Sequence, residues 1–203
     1  MIFVGDVHGK YDEYLKIIAR HKSSVQVGDM GFNYKHLDGI DPGSHTFIGG
    51  NHDNWDIIHE CPNYLGRFGA LHIGRLQDAF FVSGAYSIDQ WHRTEGKSWW
   101  RNEELSYSES ADCLSLYVMV QPEVVISHDC PNIAAQKMFN KSDNTATRQL
   151  LSGMLARWKP KLWLFGHWHE SKSIIINNTR FVCLAELETF DSKEFFANEN
   201  HNR

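Results

Sequence analysis

Five stretches of the 203-residue chain carry side chains suited to acid–base or metal chemistry, and each follows an apolar run. The densest is Gly49-Gly50-Asn51-His52-Asp53, directly after Thr46-Phe47-Ile48. Asn51 offers a neutral oxygen ligand, His52 an acid–base group, and Asp53 a carboxylate that can orient the imidazole from behind. The two glycines let the backbone turn sharply and approach another group closely. The other stretches are Asp6 and His8 after Ile2-Phe3-Val4, Asp29 after Ser24-Val25-Gln26-Val27, His128 after Val124-Val125-Ile126-Ser127, and His167 and His169 after Leu162-Trp163-Leu164-Phe165. Asp6 with His8, and His167 with His169, are spaced i, i+2, so at a strand end both members of a pair can point the same way. Asp29 stands alone. A lone carboxylate ending a buried strand is costly unless something cationic meets it.

The elements that must position these groups follow from the pattern. Short apolar runs that stop at Gly or Ser read as buried strands. In an open α/β sheet, ligands bind outside the carboxyl ends of the strands, so the five clusters are expected to converge at one edge. Together they hold too many donors for one ion and suit two. Mixed imidazole and carboxylate ligands favour manganese, iron, zinc or nickel over calcium or magnesium alone. Taken singly, each of these residues also has a plain reading as a helix cap, a turn residue or a core histidine.

Between the clusters, Tyr14, Leu15, Ile17 and Ile18 give a helical stripe with Asp12 as its expected cap. Residues 33–45 read as a loop and 54–60 as a short helix. Leu71-His72-Ile73 and Phe80-Phe81-Val82 are expected to pair antiparallel across 74–78. A helix over 109–120 is expected to be capped near Ser108 or Ser110. Residues 132–143 read as a polar connection with a short helical piece, 145–159 as a helix, and 173–176 with 179–184 as a hairpin over Asn177-Asn178. Residues 84–102 form a long irregular stretch carrying Trp99, Trp100, Arg93, Lys97 and Arg101. A structureless stretch of that length is more often functional than inert.

The composition is that of one globular domain, here taken as residues 1–191 with a polar, fraying tail at 192–203. The formal charge of −5 argues against a nonspecific nucleic-acid binder, which needs a basic face. Cys61, Cys113, Cys130 and Cys183 form no Cys-x-x-Cys pair. Scattered cysteines, the absence of a signal-peptide pattern and the lack of any bilayer-length apolar run lead us to expect a cytoplasmic protein with no membrane partner.

In order, Gly5-Asp6-Val7-His8, Gly28-Asp29, Gly49-Gly50-Asn51-His52-Asp53, His128 and Gly166-His167-Trp168-His169 resemble the five motif blocks of the calcineurin-like metallophosphoesterase superfamily. The resemblance implies an α/β fold, a two-sheet β-sandwich flanked by helices (αββα), with a two-metal site at one sheet edge. It implies that Asp6, His8 and His169 hold one divalent transition-metal ion and Asn51, His128 and His167 a second, with Asp29 bridging them; manganese is the first choice. His52 would be the protonated group facing phosphate and leaving oxygen, held by Asp53. The implied activity is that of a binuclear metal-dependent phosphoesterase, a hydrolase in which a metal-bridging hydroxide attacks a phosphomonoester or small phosphodiester in line.

One block departs from the Ser/Thr protein phosphatases, which the resemblance describes as having Gly-Asp-x-x-Asp-Arg-Gly. Here the block reads Gly28-Asp29-Met30-Gly31-Phe32-Asn33, and the arginine that clamps phosphate is missing. Arg93 is the first substitute, with Lys97 and Arg101 behind it. The competing functions are a nucleotide or nucleic-acid phosphodiesterase, a Ser/Thr protein phosphatase, and a binding module that has lost catalysis. The complete set of donor residues favours an enzyme acting on a phosphorylated substrate.

Overall fold

Strands that read as continuous apolar runs must be covered on both faces, and the arrangement of layers follows from that. A computed structural model describes residues 1–73 and 76–193. Strands β1 (Ile2–Val4), β2 (Ser24–Gln26) and β3 (His45–Phe47) run parallel in one sheet. The second sheet is built around β5 (Leu76–Val82), β6 (Val124–Ser127), β7 (Leu162–Phe165) and β9 (Thr179–Cys183), again parallel neighbours. Antiparallel edges complete it: β4 (Phe68–Ile73) beside β5, and β8 (Lys172–Ile176) beside β9.

Side-chain alternation along these strands sorts the core into three layers. Phe3, Val25, Val124, Ile126, Leu162 and Leu164 point between the sheets. Their neighbours Val125, Trp163 and Phe165 point outward under helices α2 (Tyr107–Val120), α3 (Asn132–Phe139) and α4 (Ala146–Arg157). On the other side Ile2 and Val4 pack with Tyr14 and Ile18 of helix α1 (Tyr11–Ile18). The order is therefore helix, sheet, sheet, helix, the αββα sandwich expected from the sequence. Among the described residues no helix is long and apolar enough to cross a membrane.

Several local expectations are corrected. Asp12 lies inside the first turn of α1, and the cap position is Lys10, which makes no side-chain cap bond. Helix α2 starts earlier than expected, at a capping box in which Ser106 accepts from the Glu109 amide and Glu109 accepts from the Ser106 amide. Residues 54–60 form only one 3₁₀ turn at Ile58–Glu60, and the 33–45 loop contains another at Tyr34–Leu37. As expected, the 132–143 connection contains a short helix, α3. A strand absent from the expectation, β10 (Thr189–Asp191), pairs antiparallel with β1 and closes the sheet edge. The hairpin stands as expected, with Asn177 and Asn178 both at positive φ. The expected turn at 74–78 and the tail from 194 fall wholly or partly outside the described residues.

Candidate metal centre

The loops leaving β1, β2, β3, β6 and β7 meet where the carboxyl ends of both sheets open, and all seven expected donors lie there. The backbone is bent to put them there. His8, Asp29, His167 and His169 have φ of 49°, 60°, 67° and 53°. Left-handed backbone costs a side-chain-bearing residue about 1–2 kcal/mol, and such strain gathers at functional sites. Gly50 permits the closest approach. A Cβ there would run into Asp29 Oδ1 and stand 2.7 Å from His128 Nε2.

The donors fall into two groups around Asp29. On one side His8 Nε2 and His169 Nε2 are 2.8 Å apart, with Asp6 Oδ2 3.3 Å from His169 and Asp29 Oδ2 3.7 Å from His8. The ligand atoms of Asp6, His8, Asp29 and His169 all lie within 4.8 Å of one another, as one metal ion requires. On the other side His128 Nε2 is 3.2 Å from both Asp29 Oδ1 and Asn51 Oδ1, and His167 Nδ1 is 2.9 Å from Asn51 Oδ1. His128 Nδ1 donates to the Val27 carbonyl across the sandwich at 2.9 Å, which aims Nε2 at Asp29.

The chemistry of this set fits cations. Asp29 is buried, yet its Oδ2 accepts no hydrogen bond among the described residues. Burial would raise its carboxyl, but the imidazoles of His128, His52 and His8 outweigh that and hold it well below the usual carboxylate range. A buried carboxylate oxygen left unpaired between two groups of nitrogen and oxygen donors is the arrangement a bridging ligand needs. Asp6, His8 and His169 could hold one ion and Asn51, His128 and His167 another, with Asp29 facing both.

The family model described as calcineurin-like phosphoesterase matches residues 1–171, most of the chain and every donor above. The chain belongs to the calcineurin-like phosphoesterase family. It is 25% identical to the lariat debranching enzyme of Schizosaccharomyces pombe over 202 aligned positions, covering 86% of this chain and 42% of that protein. It is 26% identical over 121 positions to a 1,4-alpha-glucan-branching enzyme of Rhizophagus irregularis, covering 59% of this chain and 17% of that one. The chain thus spans less than half the length of the curated relatives it matches. Among solved structures, phosphopantetheinyl hydrolase from Mycobacterium tuberculosis superposes with a TM-score of 0.56, covering 91% of this chain and 89% of that one at 13% identity. That likeness is one of fold.

Around these donors lies a cavity of about 390 Å³, lined among others by His52, Arg93, Lys141, Arg148, Trp168 and Asp89. A larger cavity, about 740 Å³ beside Tyr34 and Cys61, contains none of the clustered donors. Arg93 does reach the donors: its Nη2 donates to His52 Nε2 at 2.5 Å and to Asp89 Oδ1 at 2.7 Å. Arg101 pairs with Glu95 and lines a separate surface hollow, and Lys97 does not line the cavity. Trp100 anchors the loop, buried against Phe32 and donating to Asp56 at 2.8 Å.

One expectation about the acid–base pair is corrected. Asp53 does not hold the His52 ring. It is buried and accepts from the amides of Asp29 at 2.9 Å, Gly31 at 3.1 Å and Gly50 at 2.7 Å, and from the Tyr34 hydroxyl at 3.1 Å. Consecutive side chains leave the backbone in different directions, so Asp53 ties the second and third loops together while His52 faces the cavity. Burial, then the Asp29 charge, lift the Asp53 carboxyl to about 7. The His52 imidazole is shifted the opposite way. Burial depresses it to about 4, with Asp29 opposing and Arg93 adding to the depression. Arginine only donates, so His52 Nε2 is the acceptor in their hydrogen bond.

Three supporting residues escaped the sequence reading. Arg148 of α4 is buried, donates to Asp129 Oδ2 at 2.7 Å and lies over the Trp168 ring at 4.8 Å, while Trp168 Nε1 donates to Asp129 Oδ1 at 3.1 Å. This brace joins the loops that carry His128 and His167. Ser87 and Glu103, at the two ends of the long loop, stand behind Asn51. Their separation in sequence follows no period that pattern reading uses; the Arg148 position on a helix face carries no local signal at all.

Proposed function

We propose that this chain is a metal-dependent phosphoesterase that hydrolyses phosphomonoesters or small phosphodiesters. The observation that carries the reading is the buried Asp29 carboxylate, whose Oδ2 is unpaired between two donor groups, with Arg93 and His52 on the same cavity. Two divalent transition-metal ions, manganese first, would supply Lewis acidity for the attacking water and offset charge on the phosphoryl oxygens. Asp6, His8 and His169 would hold one, Asn51, His128 and His167 the other, and Asp29 both.

The remaining roles belong to the cavity residues. Arg93 is a planar, forked donor, the type that orients phosphate, and its side chain is only 9% exposed. A phosphate oxygen entering between Arg93 and His52 takes over the guanidinium N–H. His52 Nε2 is then released from its acceptor role, and the added negative charge favours its protonated form. From there it can hand a proton to the leaving oxygen. Asp53 acts on the reaction only through loop position.

A second reading, cleavage of nucleotide or nucleic-acid phosphodiesters, is favoured by the lariat debranching relative, which aligns along 86% of this chain. The four free cysteines agree with a reducing, cytoplasmic setting, which we include in the proposal.

The test is a panel of aryl and alkyl phosphate mono- and diesters assayed with each of several divalent metals. His52→Ala should lower turnover by roughly 10²–10⁴-fold on alkyl esters, and less on nitrophenyl esters whose leaving groups need little protonation. Arg93→Ala should lower kcat/KM with little change in Tm, and Arg93→Lys should recover only part. A chain that binds no metal and hydrolyses no ester in the panel overturns the proposal. Preference for diesters across the panel selects the second reading.

A further inference from the structure

The Ser87 hydroxyl is shared by three groups. It donates to Glu103 Oε2 at 2.7 Å and accepts from Asn51 Nδ2 at 3.2 Å and Arg93 Nη1 at 3.3 Å. A hydroxyl has one proton and two lone pairs, so its capacity is filled. Glu103 is buried at 3% exposure, and its Oε1 accepts the Ser87 amide at 2.7 Å. An ionised carboxylate only accepts, so it fixes the direction of the Ser87 O–H.

That direction matters for Asn51. A side-chain amide has two orientations of nearly equal shape, and only one presents its oxygen to the imidazoles. With its proton committed to Glu103, Ser87 Oγ can face only the NH₂ end of Asn51. The oxygen is then left on the far side, 2.9 Å from His167 Nδ1 and 3.2 Å from His128 Nε2. The same oxygen atom of Ser87 seats the Arg93 guanidinium. We propose that Glu103 is a positioning residue which, through Ser87, selects the Asn51 amide orientation that offers oxygen to the second metal position and sets Arg93 beside it. The inference rests on the metal-dependent reading above.

The substitution Glu103→Gln tests it at constant shape. Glutamine has one acceptor oxygen where glutamate has two. The Ser87 amide cannot reverse its polarity, so the Gln oxygen stays with it and the Gln NH₂ meets Ser87 Oγ. Ser87 must then turn its proton toward Asn51, whose NH₂ now faces a donor and rotates away. Equilibrium dialysis against Mn²⁺ at about pH 8, read by elemental analysis, should give about two ions per wild-type chain. In Glu103→Gln one ion should remain at wild-type affinity, while the other should need roughly 10–100-fold more Mn²⁺, the usual cost of losing an outer-shell partner. Ser87→Ala, which leaves Glu103 and Asn51 in place, should weaken the same single ion. Metal-free Glu103→Gln should melt no lower than wild type, because it buries no charge; a purely structural role would lower Tm and leave the metal unchanged. Wild type with two ions and both variants matching it would overturn this inference and leave the phosphoesterase reading intact. A wild-type chain that takes up no Mn²⁺ would overturn both.

Discussion

The two halves of the candidate metal centre are built differently. Asp6, His8 and His169 form an open half: the His8 and His169 side chains are 21% and 50% exposed. Among the described residues, the side-chain polar contacts of these two histidines are with each other and with Asp6 and Asp29. Asn51, His128 and His167 form a deep half, in which His128 is fully buried and Asn51 nearly so. Each of those two is held from behind, His128 by the Val27 carbonyl and Asn51 by Ser87. An outer shell of this kind fixes ligand direction before any ion arrives, and its loss is felt in affinity. The two histidines of the open half have no such backing; both sit at positive φ, as does His167 of the deep half. Two of the three deep donors are thus backed by hydrogen bonds between elements, whereas in the open half only Asp6 is, through the His167 amide at 3.0 Å, and its histidines are set by turn geometry.

The largest effect should come from the residue the halves share. Asp29→Asn removes the charge that faces both groups, so both ions should be weakened by roughly 100-fold or more, beyond the cost of an outer-shell change. His169→Ala should weaken one ion and leave the other near wild type. His128→Ala should also weaken one ion, but at a further cost to the metal-free fold. It strips the buried Asp29 carboxylate of its nearest cation, and breaking such a pair costs roughly 3–5 kcal/mol. Elemental analysis with thermal melts of the three variants decides the matter. Equal loss of both ions in His169→Ala, or equal melting of His128→Ala and His169→Ala, would break the division into halves.

The same division governs what could be read from the sequence. The donors were legible because each lies within a few residues of its strand, and apolar run, glycine and donor form a local pattern. The helix, sheet, sheet, helix order was legible because residues such as Val124 to Ile126 are apolar without alternation and need cover on both faces. The supports of the deep half were not legible. Asn51, Ser87 and Glu103 meet from two separate loops, and no periodicity links them. Asp53 misled for a related reason: adjacency to His52 suggested a pair, while the fold turns its carboxylate to the amides of Gly50, Asp29 and Gly31. The α2 cap was different. Ser106 and Glu109 carry the Ser-x-x-Glu signature, a local signal stronger than the isolated Ser108 and Ser110.

A smaller effect should appear in the pH dependence of the deep half. Burial pushes Glu103 up to about 7, against the hydrogen bonds from Ser87 and the Arg93 charge. Its ordinary value is near 4.5, so between these limits the folded chain holds a proton that the unfolded chain has lost. Stability from this group is therefore full below about pH 4.5 and is lost as pH rises through about 7. The difference is worth roughly 3 kcal/mol at most. Denaturant melts of metal-free wild type and Glu103→Gln, compared from pH 4.5 to 8, isolate it from the histidines that titrate in the same range. The wild-type curve should fall relative to the variant as pH rises. Parallel curves would show that Glu103 ionises in the folded chain as it does in the unfolded one.

The smallest effect tests whether turn geometry stores strain in the open half. His169 sits at φ 53° after Gly166-His167-Trp168. His169→Ala and His169→Gly both remove the imidazole and should weaken the same ion equally. They differ in backbone. Alanine keeps a Cβ that the left-handed region penalises by about 1–2 kcal/mol, whereas glycine does not. Against that, glycine loses about 0.5–1 kcal/mol more conformational freedom on folding. The balance favours glycine by roughly 0.5–1 kcal/mol, which for a chain of this size moves Tm by about 1–4 °C. Metal-free His169→Gly should therefore melt above metal-free His169→Ala. Equal melting would mean that the loop after β7 relaxes once its imidazole is gone, and that the strain at His169 is imposed by the imidazole's contacts with His8 and Asp6 rather than by the turn.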